Sequence, residues 1–261
     1  MEYAAPPKLS RQSAHSPMKT KLILALTAVL LPFAARAEVG AWQKDYDALL
    51  KKYVSGGGVR YSAWKASAAD MAALDKVVAA IGSESPSSLG RNDKLAFYIN
   101  AYNAWIIHLV LEKYPIKSVR DYALVFGIFT GKNIQLGGEK ISLNHLEKDL
   151  VLKGIGEARA HFALNCASRS CPVLIPAAYN GATLDKVLDE RAKAYTLNPL
   201  GVSVSKDGKT ASLSSIFKWN ADDFKGAGGA VAFINKYRTP PLAADVKVDF
   251  QEYDWSLNEV K

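Results

Sequence analysis

The sequence is short of the residues that catalysis and metal binding most often use. Among 261 residues there are two cysteines, Cys166 and Cys171, and four histidines, His15, His108, His145 and His161. Any thiol, imidazole or metal chemistry must draw on that small set. Internal repeats and low-complexity tracts are absent, which excludes solenoid and collagen-like architectures. No apolar run reaches the ~20 residues that a bilayer-spanning helix needs. With 49% hydrophobic and 22% charged residues, the chain is also not a disordered polyelectrolyte.

The first 37 residues read as a targeting segment. Met18 opens a basic stretch with Lys19 and Lys21, an apolar run follows over residues 22–33, and Ala35-Arg36-Ala37 is a small-x-small cleavage pattern. The expectation is a secretory signal peptide cleaved after Ala37 and a periplasmic or secreted mature chain with no stable membrane span. Residues 1–17, polar and aperiodic, precede the second methionine, and either Met1 or Met18 can be the start. Removing residues 1–37 takes away five basic side chains (Lys8, Arg11, Lys19, Lys21, Arg36) and one acid (Glu2). That leaves 28 basic and 24 acidic residues, a net charge of +4 in place of +8. Such a balance is not the clustered basic face of a nucleic-acid binder, and no nucleic-acid partner is expected.

Residues 38–261 suit one medium domain. Helical spacing runs over residues 42–53, 63–81 and 93–113, the last closed by Tyr114-Pro115, with a Ser/Pro/Gly break over 83–91. Residues 133–136 and 139–141 flank Gly137-Gly138, a two-residue hairpin signal. Ser142 can cap a helix through Leu152. Residues 161–165 read as a short apolar strand, 183–195 as a helix, 202–205 with 210–213 as a hairpin about Asp207-Gly208, 230–237 as a helix and 246–250 as a strand. Helices and hairpins in mixed order predict an α+β fold, with helices packed on a small antiparallel sheet.

Three segments can carry chemistry. The helix over 93–113 is apolar at nearly every position, so Asn100 and Asn103, three apart on one face, either tie it to neighbouring backbone or line a polar cavity. In the helix after Ser142, Glu147 falls inside the stripe of Leu143, Leu146, Leu150 and Val151. There it either orients a histidine, binds a substrate amine, or reaches out to water. The third is His161-Phe-Ala-Leu-Asn-Cys-Ala-Ser-Arg-Ser-Cys-Pro172. A cysteine at such a junction can have its thiolate stabilised by backbone N–H groups and a nearby imidazole. The competing reading is a disulfide between Cys166 and Cys171 in an exported protein. No metal is expected, because His161 and the two cysteines lack an obvious fourth ligand, and no cofactor is implied. On a continuous strand, His161 and Cys166 would point to opposite faces, so they can meet only if the chain turns near Asn165.

Five strings together resemble the domain of unknown function 547 family: Phe97-Tyr-Ile-Asn-Ala-Tyr-Asn-Ala, Ile107-His-Leu-Val-Leu, Leu143-Asn-His-Leu-Glu147, the His161 to Pro172 segment, and Ile216-Phe-Lys-Trp. The resemblance spans roughly residues 85–225. It implies an exported or membrane-associated bacterial protein with relatives in plants and animals, likened to a rearranged papain-like or transglutaminase-like cysteine hydrolase with a Cys-His-Glu set. Cys166, His161 and Glu147 stand at those positions. The family often carries a histidine directly after the glutamate; Lys148 stands there, and any role of that histidine is not inherited. The expectation is a cysteine hydrolase or transferase acting on an amide or thioester bond of a small-molecule, peptide or peptidoglycan-like substrate. Cys166 would attack, His161 would move the proton and Glu147 would hold the imidazole. Asn100, Asn103, Asn165, Ser168 and Arg169 are candidate substrate-binding residues, Cys171 is an alternative nucleophile or disulfide partner, and backbone N–H groups over 167–170 are expected oxyanion donors. The rival expectation is a non-catalytic envelope or binding module stapled by the two cysteines.

Overall fold

The computed structural model describes residues 40–122 and 127–261. The expected leader over residues 1–37 lies outside the described residues. Helix α1 (Ala41–Tyr53) buries Trp42, Tyr46, Leu49, Leu50 and Tyr53, the spacing of one helical face. A two-residue-strand hairpin, β1 (Val54–Ser55) and β2 (Gly58–Val59), leads into α2 (Tyr61–Ala66) and α3 (Ala68–Ser83). The single helix expected over 63–81 is thus two helices. Ser67 separates them, because its side chain accepts a hydrogen bond from the Asp70 N–H and starts α3 as an N-cap.

Helix α4 (Arg91–Lys113) buries almost every residue from Leu95 to Leu111. It is the central element and packs against its neighbour α3. After the short α5 (Gly127–Thr130), strands β3 (Ile134–Leu136) and β4 (Glu139–Ile141) pair antiparallel about Gly137-Gly138. Both glycines have positive φ, 60° and 89°, as the tight two-residue turn requires. Ser142 then caps the next helix as expected, accepting from the His145 N–H at 3.0 Å. That helix, however, is π-helical over His145–Lys153, and the wider winding changes its buried stripe. Leu146, Val151 and Leu152 are buried there while Leu150 moves to the margin.

Residues 161–165 are not a strand. A 3₁₀ helix runs over Ala158–Phe162, and the chain continues without regular structure to Cys166. Helix α6 (Leu184–Leu197) packs on this segment and on α4. Strands β5 (Val202–Val204) and β6 (Thr210–Leu213) form the expected hairpin, followed by α7 (Ser215–Trp219), a 3₁₀ helix over Ala221–Ala227, α8 (Ala230–Tyr237) and β7 (Lys247–Phe250). The fold is α+β. Among the described residues there are three small sheets in place of one antiparallel sheet, and β7 pairs parallel to β6. Among the described residues, no helix is long and apolar enough to cross a membrane.

Among the described residues, two apolar clusters form the interior. The larger gathers α1 to α4, the β3–β4 hairpin and the π-helix; the smaller gathers Phe162, Tyr195, Phe217, Phe224 and Phe233 around the three-stranded sheet. The stretch from His161 to Cys171 runs from one to the other, with Phe162 in the smaller cluster and Leu164 and Ala167 in the larger.

Candidate active site

Cys166 sits at a sharp turn that the surrounding residues over-determine. The next residue, Ala167, has φ of +59°, the one positive φ outside glycine among the described residues. An alanine in that region costs energy and persists only where its surroundings hold it, an arrangement concentrated at functional sites. Asn165 holds it from within: its Oδ1 accepts from the Ala167 N–H at 2.9 Å and its Nδ2 donates to the Pro172 carbonyl at 2.8 Å. The C-terminal segment holds it from outside. The Asn258 N–H donates to the Ala167 carbonyl, the Asn258 side chain donates to Asn165 Oδ1, and the Arg169 and Ser170 N–H groups donate to the carbonyls of Ser256 and Asp254.

These bonds correct one expectation. The backbone N–H groups over 167–170 are not free to receive an oxyanion: Ala167 donates to Asn165, Arg169 to Ser256 and Ser170 to Asp254, while the Ser168 N–H bonds the Cys166 sulfur. Flanking them, the Cys166 N–H donates to Cys171 Sγ and the Cys171 N–H to the Ser168 carbonyl.

Both cysteines are free thiols, so the expected staple is not the arrangement found. Cys166 is half-buried and its Sγ lies 2.9 Å from Ser168 Oγ and 3.2 Å from the Tyr253 hydroxyl. Burial opposes ionisation of this thiol. Hydrogen bonds from Cys171, Ser168, Tyr253 and the Ser168 backbone outweigh it, so the thiol is lowered below the ordinary cysteine range. Cys171 is buried and moves the opposite way: burial, then the neighbouring Cys166 sulfur, push it well above that range. The pair is therefore asymmetric, with Cys171 the protonated donor and Cys166 the acidic member.

His161 and Cys166 line the same pocket, a cavity of about 480 Å³ where the two apolar clusters meet. Because the intervening backbone is helical and then irregular, the strand-face objection does not apply. Among the described residues, the two side chains face that cavity without a direct hydrogen bond to each other. The carboxylate paired with the imidazole is Asp223, not Glu147: His161 Nε2 lies 2.8 Å from Asp223 Oδ2, and the ring packs on Phe224. With Nε2 held by Asp223, Nδ1 is the nitrogen left to exchange a proton. Glu147 does line the pocket, but its carboxylate hydrogen-bonds the buried Tyr102 hydroxyl.

The other predicted site residues divide sharply. Asn100 is saturated by the backbone of Tyr179, donating to its carbonyl and accepting from its N–H, both at 2.8 Å. Asn103 does the same across residues 163–165, donating to the Ala163 carbonyl and accepting from the Asn165 N–H. Neither amide reaches the pocket, so substrate binding gives way to tying α4 to the cysteine segment. Asn165 is likewise committed to the turn, and the Arg169 side chain is exposed away from the pocket wall. Ser168 alone of these five touches the sulfur.

Sequence reasoning missed Asp223, Tyr253 and the aromatic wall. Trp219 is 52% exposed and stacks on Trp255, with centroids 5.8 Å apart, and Tyr253 packs against both. The alternation Tyr253-Asp-Trp255 in an extended tail was a usable signal for two rings on one face. Asp223, in a polar 3₁₀ segment, carries none.

Fold and site together define an α+β protein in which a cysteine and an aspartate-held histidine line one aromatic-walled pocket. Residues 86–196 match the family described as Protein of unknown function, DUF547. Cys166, His161 and Glu147 lie inside the matched stretch; Asp223 and Tyr253 lie beyond it. No curated protein and no solved structure matches the chain.

Proposed function

We propose that the protein is an exported cysteine-dependent hydrolase or transferase that acts on an amide or thioester bond, reaching the periplasm or exterior through cleavage after Ala37. The observation that carries this reading is the acidic, half-buried Cys166 opening into the same pocket as an aspartate-held imidazole.

Cys166 Sγ attacks the carbonyl carbon, forming the C–S bond as the carbonyl electrons move onto oxygen. Hydrogen bonds already favour the thiolate, so the attack needs little help from a base. His161 takes up the Cys166 thiol proton as the thiolate forms and delivers that proton to the leaving amine or thiol as the carbon–heteroatom bond breaks. In the second half-reaction, His161 accepts a proton from water, or from an acceptor nucleophile, that attacks the thioester. The products are a carboxylic acid or a transferred acyl group, and the Cys166 thiol is restored. Asp223 keeps the imidazole in one orientation and tautomer throughout. The substrate is a small molecule, a peptide or a peptidoglycan-like fragment whose acyl group fits the 480 Å³ cavity.

Turnover of an amide and thioester panel by the wild-type chain and by Cys166→Ser tests the proposal. The expected result is an acyl-enzyme mass on Cys166 in the wild type and loss of all turnover in the variant, with the melting temperature shifted by no more than a few degrees. Retained turnover in the variant, or a collapse in stability, would favour a structural role for the cysteine pair.

A further inference from the structure

Acyl transfer creates a negative charge on the former carbonyl oxygen, and a donor must meet it. In many thiol and serine enzymes that donor is backbone. Here the six consecutive N–H groups from Cys166 to Cys171 all have other acceptors: Cys171 Sγ, Asn165 Oδ1, Cys166 Sγ, and the carbonyls of Ser256, Asp254 and Ser168. Of the six, only the Ser168 N–H meets the nucleophilic sulfur, and its direction is fixed by the backbone, so the donor free to follow the charge onto oxygen is a side-chain hydroxyl.

Two hydroxyls touch the nucleophilic sulfur, and they are not equivalent. Ser168 Oγ lies 2.9 Å from Cys166 Sγ, but Ser168 is buried and stands behind the pocket wall. The Tyr253 hydroxyl lies 3.2 Å from the same sulfur, and Tyr253 lines the cavity. Its ring packs against both Trp219 and Trp255, at 4.9 and 4.6 Å between centroids, which holds the phenol against the thiol. We propose that the Tyr253 hydroxyl is the oxyanion donor of this site, a catalytic residue supplied by the C-terminal segment outside the matched family stretch.

The geometry suits the movement of charge. When the thiol is ionised, the phenol O–H donates to its sulfur. When Sγ bonds to the carbonyl carbon, the negative charge shifts onto an oxygen two bonds from the sulfur. A donor already 3.2 Å from Sγ can follow that charge by rotating its hydroxyl hydrogen, with no movement of the ring. The phenol is also kept protonated: burial, then the charge of the neighbouring Cys166, push Tyr253 well above the ordinary tyrosine range.

This inference rests on the acyl-transfer reading, and two electrophiles separate its failure from that of the reading. Iodoacetamide alkylates the thiolate at saturated carbon and builds no oxyanion, whereas p-nitrophenyl acetate acylates it through one. Rates are compared on the high-pH plateau, where the thiol is fully ionised and differences in its acidity no longer count. For Tyr253→Phe the expected outcome is alkylation within about threefold of wild type and acylation slowed by about 10²- to 10³-fold. The phenylalanine variant removes one oxygen and keeps the ring stack, and its alkylation rate reports that the site has survived. Acylation of Tyr253→Phe at the wild-type rate, or equal slowing of both reactions, overturns the proposal alone. Failure of the wild-type thiol to acylate while it alkylates normally overturns the hydrolase reading and this proposal with it.

Discussion

Cys166 owes its acidity to local hydrogen bonds, and His161 owes its orientation to Asp223. The two carboxylates near the imidazole therefore have different tasks. Glu147 is spent on Tyr102, while Asp223 holds Nε2 at 2.8 Å. Asp223→Asn should lower kcat by about 10²- to 10⁴-fold with little change in KM, because an amide can present the wrong partner to the ring and favour the wrong tautomer. Glu147→Gln should cost far less, since an amide still bonds the Tyr102 hydroxyl; steady-state kinetics on the two variants checks the order, and a larger loss for Glu147→Gln would return the orienting role to that residue. At this scale the sequence was partly legible. Cys166 and His161 stand in a compact string of small, polar and apolar residues whose chemistry is local. Asp223 lies 62 residues from the histidine it holds, and nothing in an Asp-Asp pair on a polar turn announces a partner so distant.

The C-terminal segment after β7 acts as a strap. It passes Tyr253 to the sulfur, takes the N–H groups of Arg169 and Ser170, and crosses β2, where the Val59 N–H donates to the Asn258 carbonyl. Gly58 makes that crossing possible: a Cβ at this position would lie 2.2 Å from the Asn258 carbonyl oxygen. Gly58→Ala should therefore displace the strap and loosen the cysteine turn, raising the pH midpoint of Cys166 alkylation toward that of a free thiol and lowering the melting temperature. An unchanged midpoint would mean that the turn holds itself without the strap. The elements the sequence predicted well were those whose signals are local. Examples are the apolar face of α1, the long apolar run of α4 and the Gly137-Gly138 hairpin. The segment over 161–165 misled because a short apolar run has the same pattern in a buried strand and in a buried 3₁₀ turn. The π-helix misled more subtly, since its stripe was counted on the α period.

Over the whole molecule, the pocket exists because two apolar clusters share one chain segment, with Phe162 in one and Leu164 in the other. The α+β character was readable from mixed helices and hairpins, whereas the split into three sheets and the parallel β6–β7 pair depend on contacts between distant segments. The same arrangement makes the two cysteines chemically unequal: both line the pocket, but Cys171 is only 6% exposed and its thiol is pushed up, whereas the half-buried Cys166 thiol is lowered. A thiol whose ionisation is favoured reacts more fully at lower pH, so its alkylation rate should rise with pH and level off earlier than that of a free cysteine. Alkylation of the folded wild-type chain across pH, with the modified residue located by peptide mass, tests the central claim most directly. The account predicts modification at Cys166 alone, with a midpoint below the free-cysteine value of about 8.5, and Cys171 reacting only after unfolding. Equal labelling of both cysteines, a midpoint at or above that value, or no labelling until a reductant is added would contradict it.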